Sequence, residues 1–148
     1  MAVVSERRTV IALDVGEARI GVARGEVGSS FAFGRGYIVS TRQKDDVQAV
    51  KDILEAENAE LVVVGLPTRS DGTDSKQTQR VRAFARALQT AGMEVVFEDE
   101  RFTTRIASQG LLSSGLPKKK RQEKGRLDEA AAVLILESYL HKSNPPPR

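Results

Sequence analysis

A chain of 148 residues, 40% apolar and 29% charged, has the composition of one soluble domain long enough to bury a core. It has no cysteine and a single histidine, His141, which excludes disulfides, thiolate catalysis and the nitrogen–sulfur ligand sets that zinc favours. The net charge of +3 is unevenly spread: residues 101–126 hold eight basic side chains against Glu123 alone, so that window is +7 and the rest of the chain −4.

The apolar run after Arg7-Arg8 reaches only Leu13 before Asp14, too short for the apolar core of a signal peptide, and no segment approaches membrane-spanning length. A cytoplasmic location is the expectation. Thr9 to Gly16 reads as a first strand, rich in Val, Ile and Leu as buried strands are. A turn at Gly16-Glu17-Ala18 leads to a strand over Arg19–Ala23, and Gly28-Ser29-Ser30 leads to a third over Phe33–Val39, weakened by Gly34 and Gly36. Short turns between them predict an antiparallel meander.

Ser40 or Thr41 is placed to cap a helix in which Val47, Val50 and Leu54 share a face, and Asn58 ends it. Leu61 to Gly65 is a continuous apolar run, the pattern of a strand covered on both faces. A polar loop from Pro67 to Ser75 precedes a helix capped by Asp74 or Ser75, with Val81, Phe84, Ala85 and Leu88 on one face and Gly92 after its end. Strand five is expected over Glu94–Phe97, and a short helix from Thr103 or Thr104 to Leu112. Ser113–Arg126 reads as a flexible basic loop, Leu127–Leu140 as the last helix, and Pro145 to Pro147 as a tail that cannot extend it. The whole predicts a single α/β domain over 1–148, with its core at about 9–140.

Three carboxylate positions fall at the ends of these elements: Asp14, the cluster Glu98-Asp99-Glu100, and Asp128-Glu129. An unpaired carboxylate inside an apolar strand costs several kcal/mol, so Asp14 belongs at the strand's exit, facing a cation. Taken alone it is equally a turn-forming Asp hydrogen-bonded to nearby amides. Asp128 would share a helix face with Ala131, Ala132 and Ile135, the face turned to the sheet, and the small Ala130-Ala131-Ala132 run would let that helix sit close to the strands. Its plainer role is a cap or first-turn partner of the helix dipole, worth up to about 1 kcal/mol. Glu129 is a second choice to it, and Asp99 a second choice within the middle cluster. The cationic window between the second and third acidic sites suits an enzyme acting on a polyanion. It brings Arg101, Arg105, Lys118, Lys119, Lys120, Arg121, Lys124 and Arg126 as candidate phosphate contacts, with Arg19 in the second strand. A solvated loop is the alternative for that window.

Asp14-Val-Gly16 with Arg19-Ile-Gly-Val-Ala23, Val64-Gly-Leu-Pro67 with Asp71-Gly72, Asp99-Glu-Arg101 with Thr103-Thr104, and Asp128 before Ala131-Ala132 follow one another in order. From about Thr9 to Leu140 this series resembles the YqgF/RuvX family of pre-16S rRNA nucleases and Holliday-junction-resolvase-like proteins. The resemblance implies a ribonuclease-H-like fold: a five-stranded mixed sheet, its first three strands antiparallel, flanked by helices. It also implies that Asp14, Glu100 and Asp128 are the metal-binding carboxylates. Phe102 stands where the family more often has Leu. No family role transfers to the basic loop or the Pro-rich tail.

The implied chemistry is phosphodiester hydrolysis with Mg²⁺ or Mn²⁺, hard cations that carboxylate oxygens hold without histidine or cysteine. The implied partners are pre-rRNA, a four-way DNA junction, or both. Low aromatic content favours backbone and shape recognition over base reading. A junction substrate needs two active sites about a two-fold axis and therefore a homodimer. Two other classes compete. A catalytically idle nucleic-acid-binding adaptor would keep the fold and bind without divalent ions. An actin-like nucleotide-binding module would share the Asp-x-Gly strand, but it needs two such domains, and no Walker-type phosphate loop is present.

Overall fold

Strand β1, Thr9–Val15, sends Ile11, Leu13 and Val15 to one side and Val10, Ala12 and Asp14 to the other. In the computed structural model, which describes residues 8–67, 75–99 and 120–143, those two sides are the two faces of one sheet. β2 (Arg19–Glu26) and β3 (Ala32–Val39) continue from β1 as an antiparallel meander. β4 (Leu61–Leu66) and β5 (Val95–Asp99) run parallel to β1, giving the order β3-β2-β1-β4-β5. This is the expected five-stranded mixed sheet.

Helices α1 (Gln43–Ala56) and α2 (Lys76–Thr90) cover one face. Val50 and Leu54 of α1 and Val81, Phe84 and Leu88 of α2 pack there on Ile11, Leu13, Val62 and Val64. Helix α3 (Lys120–Ser143) covers the other face through Ala132, Ile135, Leu136 and Leu140, which meet Val10, Ala12, Ala23, Leu61 and Val63. β1 and β4 therefore have apolar side chains on both faces, which is why they read as unbroken apolar runs. No helix among the described residues is long and apolar enough to cross a membrane.

Local signals behave as their chemistry requires, with four departures, the first being β2, which runs past the expected Ala23 to Glu26. Ser75 caps α2, its hydroxyl accepting from the Thr78 amide at 3.1 Å. Asn58 after α1 and Gly92 after α2 both take positive φ, the conformation that stops a helix. The start of α1 differs: its N-cap is Arg42, without a side-chain cap. Buried Asp46 reaches back instead, accepting from the Ser40 hydroxyl at 2.5 Å and the Thr41 amide at 3.0 Å.

β5 runs from Val95 to Asp99 rather than from Glu94 to Phe97, because its pairing with β4 continues through Gly65↔Glu98 and Leu66↔Asp99. The largest departure is α3, which begins at Lys120 and not at Leu127. Residues 120–126, expected as loop, are helical, in keeping with the good helix propensity of Lys, Arg, Gln and Glu. The expected helix from Thr103 to Leu112 and the tail at Pro145 to Pro147 lie outside the described residues, as does most of the loop between Pro67 and Ser75.

Candidate functional site

The site is built where α3 crosses the β1–β2 hairpin. Asp14 is the penultimate residue of β1, 8% exposed, on the α3 face. Its cross-strand partner is Gly21, and the absence of a side chain there is what lets the helix in. A Cβ on Gly21 would stand 1.9 Å from the Asp128 carbonyl oxygen and 2.7 Å from the Glu129 amide nitrogen. The Asp128 backbone thus rests on the strand next to Asp14, about one strand spacing (~5 Å) to its side. Gly21 is not among the site residues the motifs single out, although a glycine inside a strand is itself a mark of close backbone approach.

Asp128 lies on the sheet-facing side of α3 with Ala131, Ala132 and Ile135, the last three fully or almost fully buried. It is the ninth residue of the helix, so neither capping nor a first-turn dipole interaction explains it. Its Oδ2 accepts a hydrogen bond from Arg19 Nε at 3.1 Å, both side chains being about one-fifth exposed. Burial raises the Asp128 carboxyl above its ordinary pKa, and outweighs the Arg19 hydrogen bond and the Arg19 and Lys124 charges that pull it down.

The neighbouring acids have other occupations. Glu129 Oε2 accepts from the Gly36 amide at 2.6 Å. There β3 bulges, Arg35 and Gly36 together opposing Val22, and Gly36 has φ +83°. Gly34 is pressed under the same carboxylate, which a Cβ would meet at 2.4 Å. Glu129 ties α3 to β3. Glu98 is 4% exposed and turns to α3, where the Ser138 hydroxyl donates to it at 2.6 Å and Lys142 Nζ lies at 2.7 Å. Asp99 is exposed and alternates with Glu98 onto the α1–α2 face, with Val95 and Phe97. Gly16 serves the hairpin, its amide donating to the Arg19 carbonyl at 2.9 Å.

Of the candidate cations, Arg19 is committed to Asp128, while Lys124 and Arg126 are exposed on the same stretch of α3. Lys120 and Arg121 begin that helix. Glu100, Arg101, Arg105, Lys118 and Lys119 lie outside the described residues. Among the described residues no three carboxylates or imidazoles are grouped closely enough to hold a metal ion by themselves. Asp14 and Asp128 are the two candidate carboxylate residues whose backbones the fold sets side by side, across Gly21. Their donors are hard oxygens, which fits magnesium or manganese and not zinc.

Residues 8–142 match the family model described as RuvX: Holliday junction resolvase. The chain is 49% identical over 129 residues to a Thermus thermophilus protein named "Putative pre-16S rRNA nuclease", covering 87% of this chain and 94% of that one. It is 43% identical over 133 residues to a Deinococcus radiodurans protein named "Ribonuclease YqgF", covering 89% and 87%. Among solved structures, Thermus thermophilus RuvC superposes with a TM-score of 0.53 at 15% identity, over 90% of this chain and 95% of that one. The same protein in complex with a Holliday junction substrate gives a TM-score of 0.54. At that identity the likeness is one of fold, and the fold is that of the RuvC-like, ribonuclease-H-type resolvases. The family match and the sequence relatives carry the stronger conclusion: this chain belongs to the RuvX/YqgF family of nucleases.

Proposed function

We propose that the chain is a divalent-metal-dependent endonuclease that hydrolyses phosphodiester bonds in structured nucleic acid, pre-16S rRNA or a four-way DNA junction. Asp14, Asp128 and Glu100 would hold Mg²⁺ or Mn²⁺, the last on the strength of its place in the Asp-Glu-Arg motif. The observation that carries this reading is the seating of the Asp128 backbone on Gly21, directly beside Asp14. A bound divalent ion supplies a Lewis acid for the phosphate oxygens and a water of lowered pKa.

The protein's own contribution is positional. Gly21 and the alanines of α3 bring the helix onto the sheet, and Arg19 holds the Asp128 side chain towards β2. Lys124 and Arg126, exposed on α3, attract phosphates to that edge. The Arg19–Asp128 ion pair is also the observation that favours the rival reading, an adaptor whose carboxylate is already satisfied by its own arginine.

Cleavage of precursor rRNA and of a synthetic four-way junction, side by side with Mg²⁺, Mn²⁺ and chelator, separates these readings. The nuclease cuts at least one substrate only when a divalent ion is present, and Asp14→Asn slows the cut by roughly 10²–10³-fold while binding survives. Binding without cleavage under every metal condition would establish the adaptor.

A further inference from the structure

Strand β3 is the edge strand on this side of the described sheet, and it exposes aromatic surface. Phe33 pairs with Arg24 and so belongs to the α1–α2 face. Tyr37 is different. It pairs with Gly21, which in turn pairs with Asp14, so Tyr37, Gly21 and Asp14 form one row across three strands on the α3 face. Tyr37 is therefore about two strand spacings, ~10 Å, from Asp14.

The ring has a made seat. Gly125, inside α3, is buried, and a Cβ there would lie 2.3 Å from Tyr37 Cε1 and 2.5 Å from Cζ. A glycine in a helix interior costs about 1 kcal/mol relative to alanine, and here its missing side chain is the space the ring occupies. One side of the ring is thus fixed against the helix backbone, yet the residue stays 39% exposed. Lys124 and Arg126, both exposed, flank the seat along α3. Asp128 follows one turn after Gly125 on that helix.

A half-exposed aromatic ring fixed on one side, against a helix that also carries exposed cations, is the chemistry that stacks a nucleobase while its phosphates are neutralised. Bases within a duplex are already stacked on each other, so such a ring takes an unpaired one. Resting on the nuclease reading above, we infer that Tyr37 is a stacking platform for an unpaired base of the strand being cut, close to the scissile phosphate. The substrate class that follows is nucleic acid locally single-stranded at the cleavage site: a precursor tail, a bulge or the opened centre of a junction.

The test is binding of the full chain to single-stranded oligonucleotides carrying one abasic site, moved position by position, with Ca²⁺ in place of the cleaving ion. Wild type, Tyr37→Phe and Tyr37→Leu are compared, with an uninterrupted duplex as reference. Tyr37→Phe keeps wild-type binding, and Tyr37→Leu weakens binding to the intact single strand roughly 5- to 100-fold. One abasic position weakens wild type by the same factor and removes its difference from Tyr37→Leu, while duplex binding is equal in all three. A Tyr37→Leu loss that is the same on intact, abasic and duplex nucleic acid would make the residue merely structural and overturn the platform. Indifference of the wild type to every abasic position overturns it without any variant. Abasic sensitivity without cleavage under any metal leaves the platform standing and contradicts the nuclease reading; cleavage without abasic sensitivity does the reverse.

Discussion

β2 sends one arginine to each face of the sheet, and each meets a carboxylate, but the two pairs are built to different ends. On the α1–α2 face, Glu57 at the C-terminal end of α1 has both oxygens engaged, Oε1 by Arg24 Nε and Oε2 by Arg35 Nε, each at 2.7 Å. The Arg35 hydrogen bond is the largest influence on its carboxyl, which sits below its ordinary pKa. A negative charge at a helix C-terminus is unfavourable, and two guanidinium groups more than compensate for it. On the α3 face Asp128 has Arg19 at 3.1 Å, and burial still holds its carboxyl above the ordinary value. Glu57 is a fastening that wants its charge. Asp128 is a carboxylate that burial disfavours despite its arginine, the kind of perturbation the proposed metal site would use.

The largest effect should come from removing the charge on the α3 side. Asp128→Asn and Asp14→Asn are each expected to slow metal-dependent cleavage by roughly 10²–10³-fold, the scale of losing one electrostatic contact to a reacting phosphate. The thermal midpoint of Asp128→Asn should match wild type or slightly exceed it in the absence of metal, because the amide keeps the hydrogen-bonding capacity without a desolvated charge. Cleavage at the wild-type rate would move Asp128 into the same class as Glu57.

Next in size is Gly21→Ala, which puts a Cβ into the backbone of Asp128 and Glu129. Backbone cannot swing aside as a side-chain tip can, so about 3 kcal/mol of stability is expected to be lost, seen in urea or thermal unfolding. Metal-dependent cleavage should fall even where the variant remains folded. An unperturbed Gly21→Ala would refute the close seating of α3.

Glu57→Gln should cost about 1 kcal/mol of stability, the scale of two partly exposed ion pairs, and leave cleavage unchanged. The pH profiles sharpen the contrast. With its folded pKa lowered, Glu57 contributes stability that is fully present above the unfolded value and is lost as pH falls through the folded one. With its folded pKa raised, Asp128 does the opposite: its contribution is most favourable in acid and is lost as pH rises through the folded value. Glu57→Gln should therefore weaken the protein at neutral pH and leave it nearly unchanged in strong acid. Asp128→Asn should be neutral in acid and relatively more stable than wild type at neutral pH. Unfolding midpoints measured across both ranges check the two signs together.

Much of this was legible in the residues. Continuous apolar runs gave β1 and β4, helical spacing of Val81, Phe84, Ala85 and Leu88 gave the buried side of α2, and a carboxylate ending an apolar run singled out Asp14. The start of α3 was not legible, because residues 120–126 carry no apolar periodicity and the seat of Tyr37 on Gly125 is a contact between distant parts of the chain. A helix starting at Leu127 would put Asp128 in its first turn, where a cap or dipole partner is the plain role. The duties of Glu98 and Glu129 were hidden for a related reason: Ser138 and Lys142, and the amide of a bulged glycine, are partners that only the folded sheet supplies.

The central claim is that Asp128 belongs to a divalent-cation site and Glu57 does not. The most direct test is the shift in thermal midpoint on adding Mn²⁺ to wild type, Asp128→Asn and Glu57→Gln at neutral pH. An ion bound only by the folded protein at about 100 times its Kd adds about 2.7 kcal/mol, or roughly 5–10 °C for a domain of this size. Wild type and Glu57→Gln should both rise by that order, and Asp128→Asn should show little or no rise. An equal Mn²⁺-induced rise in all three proteins would contradict the assignment.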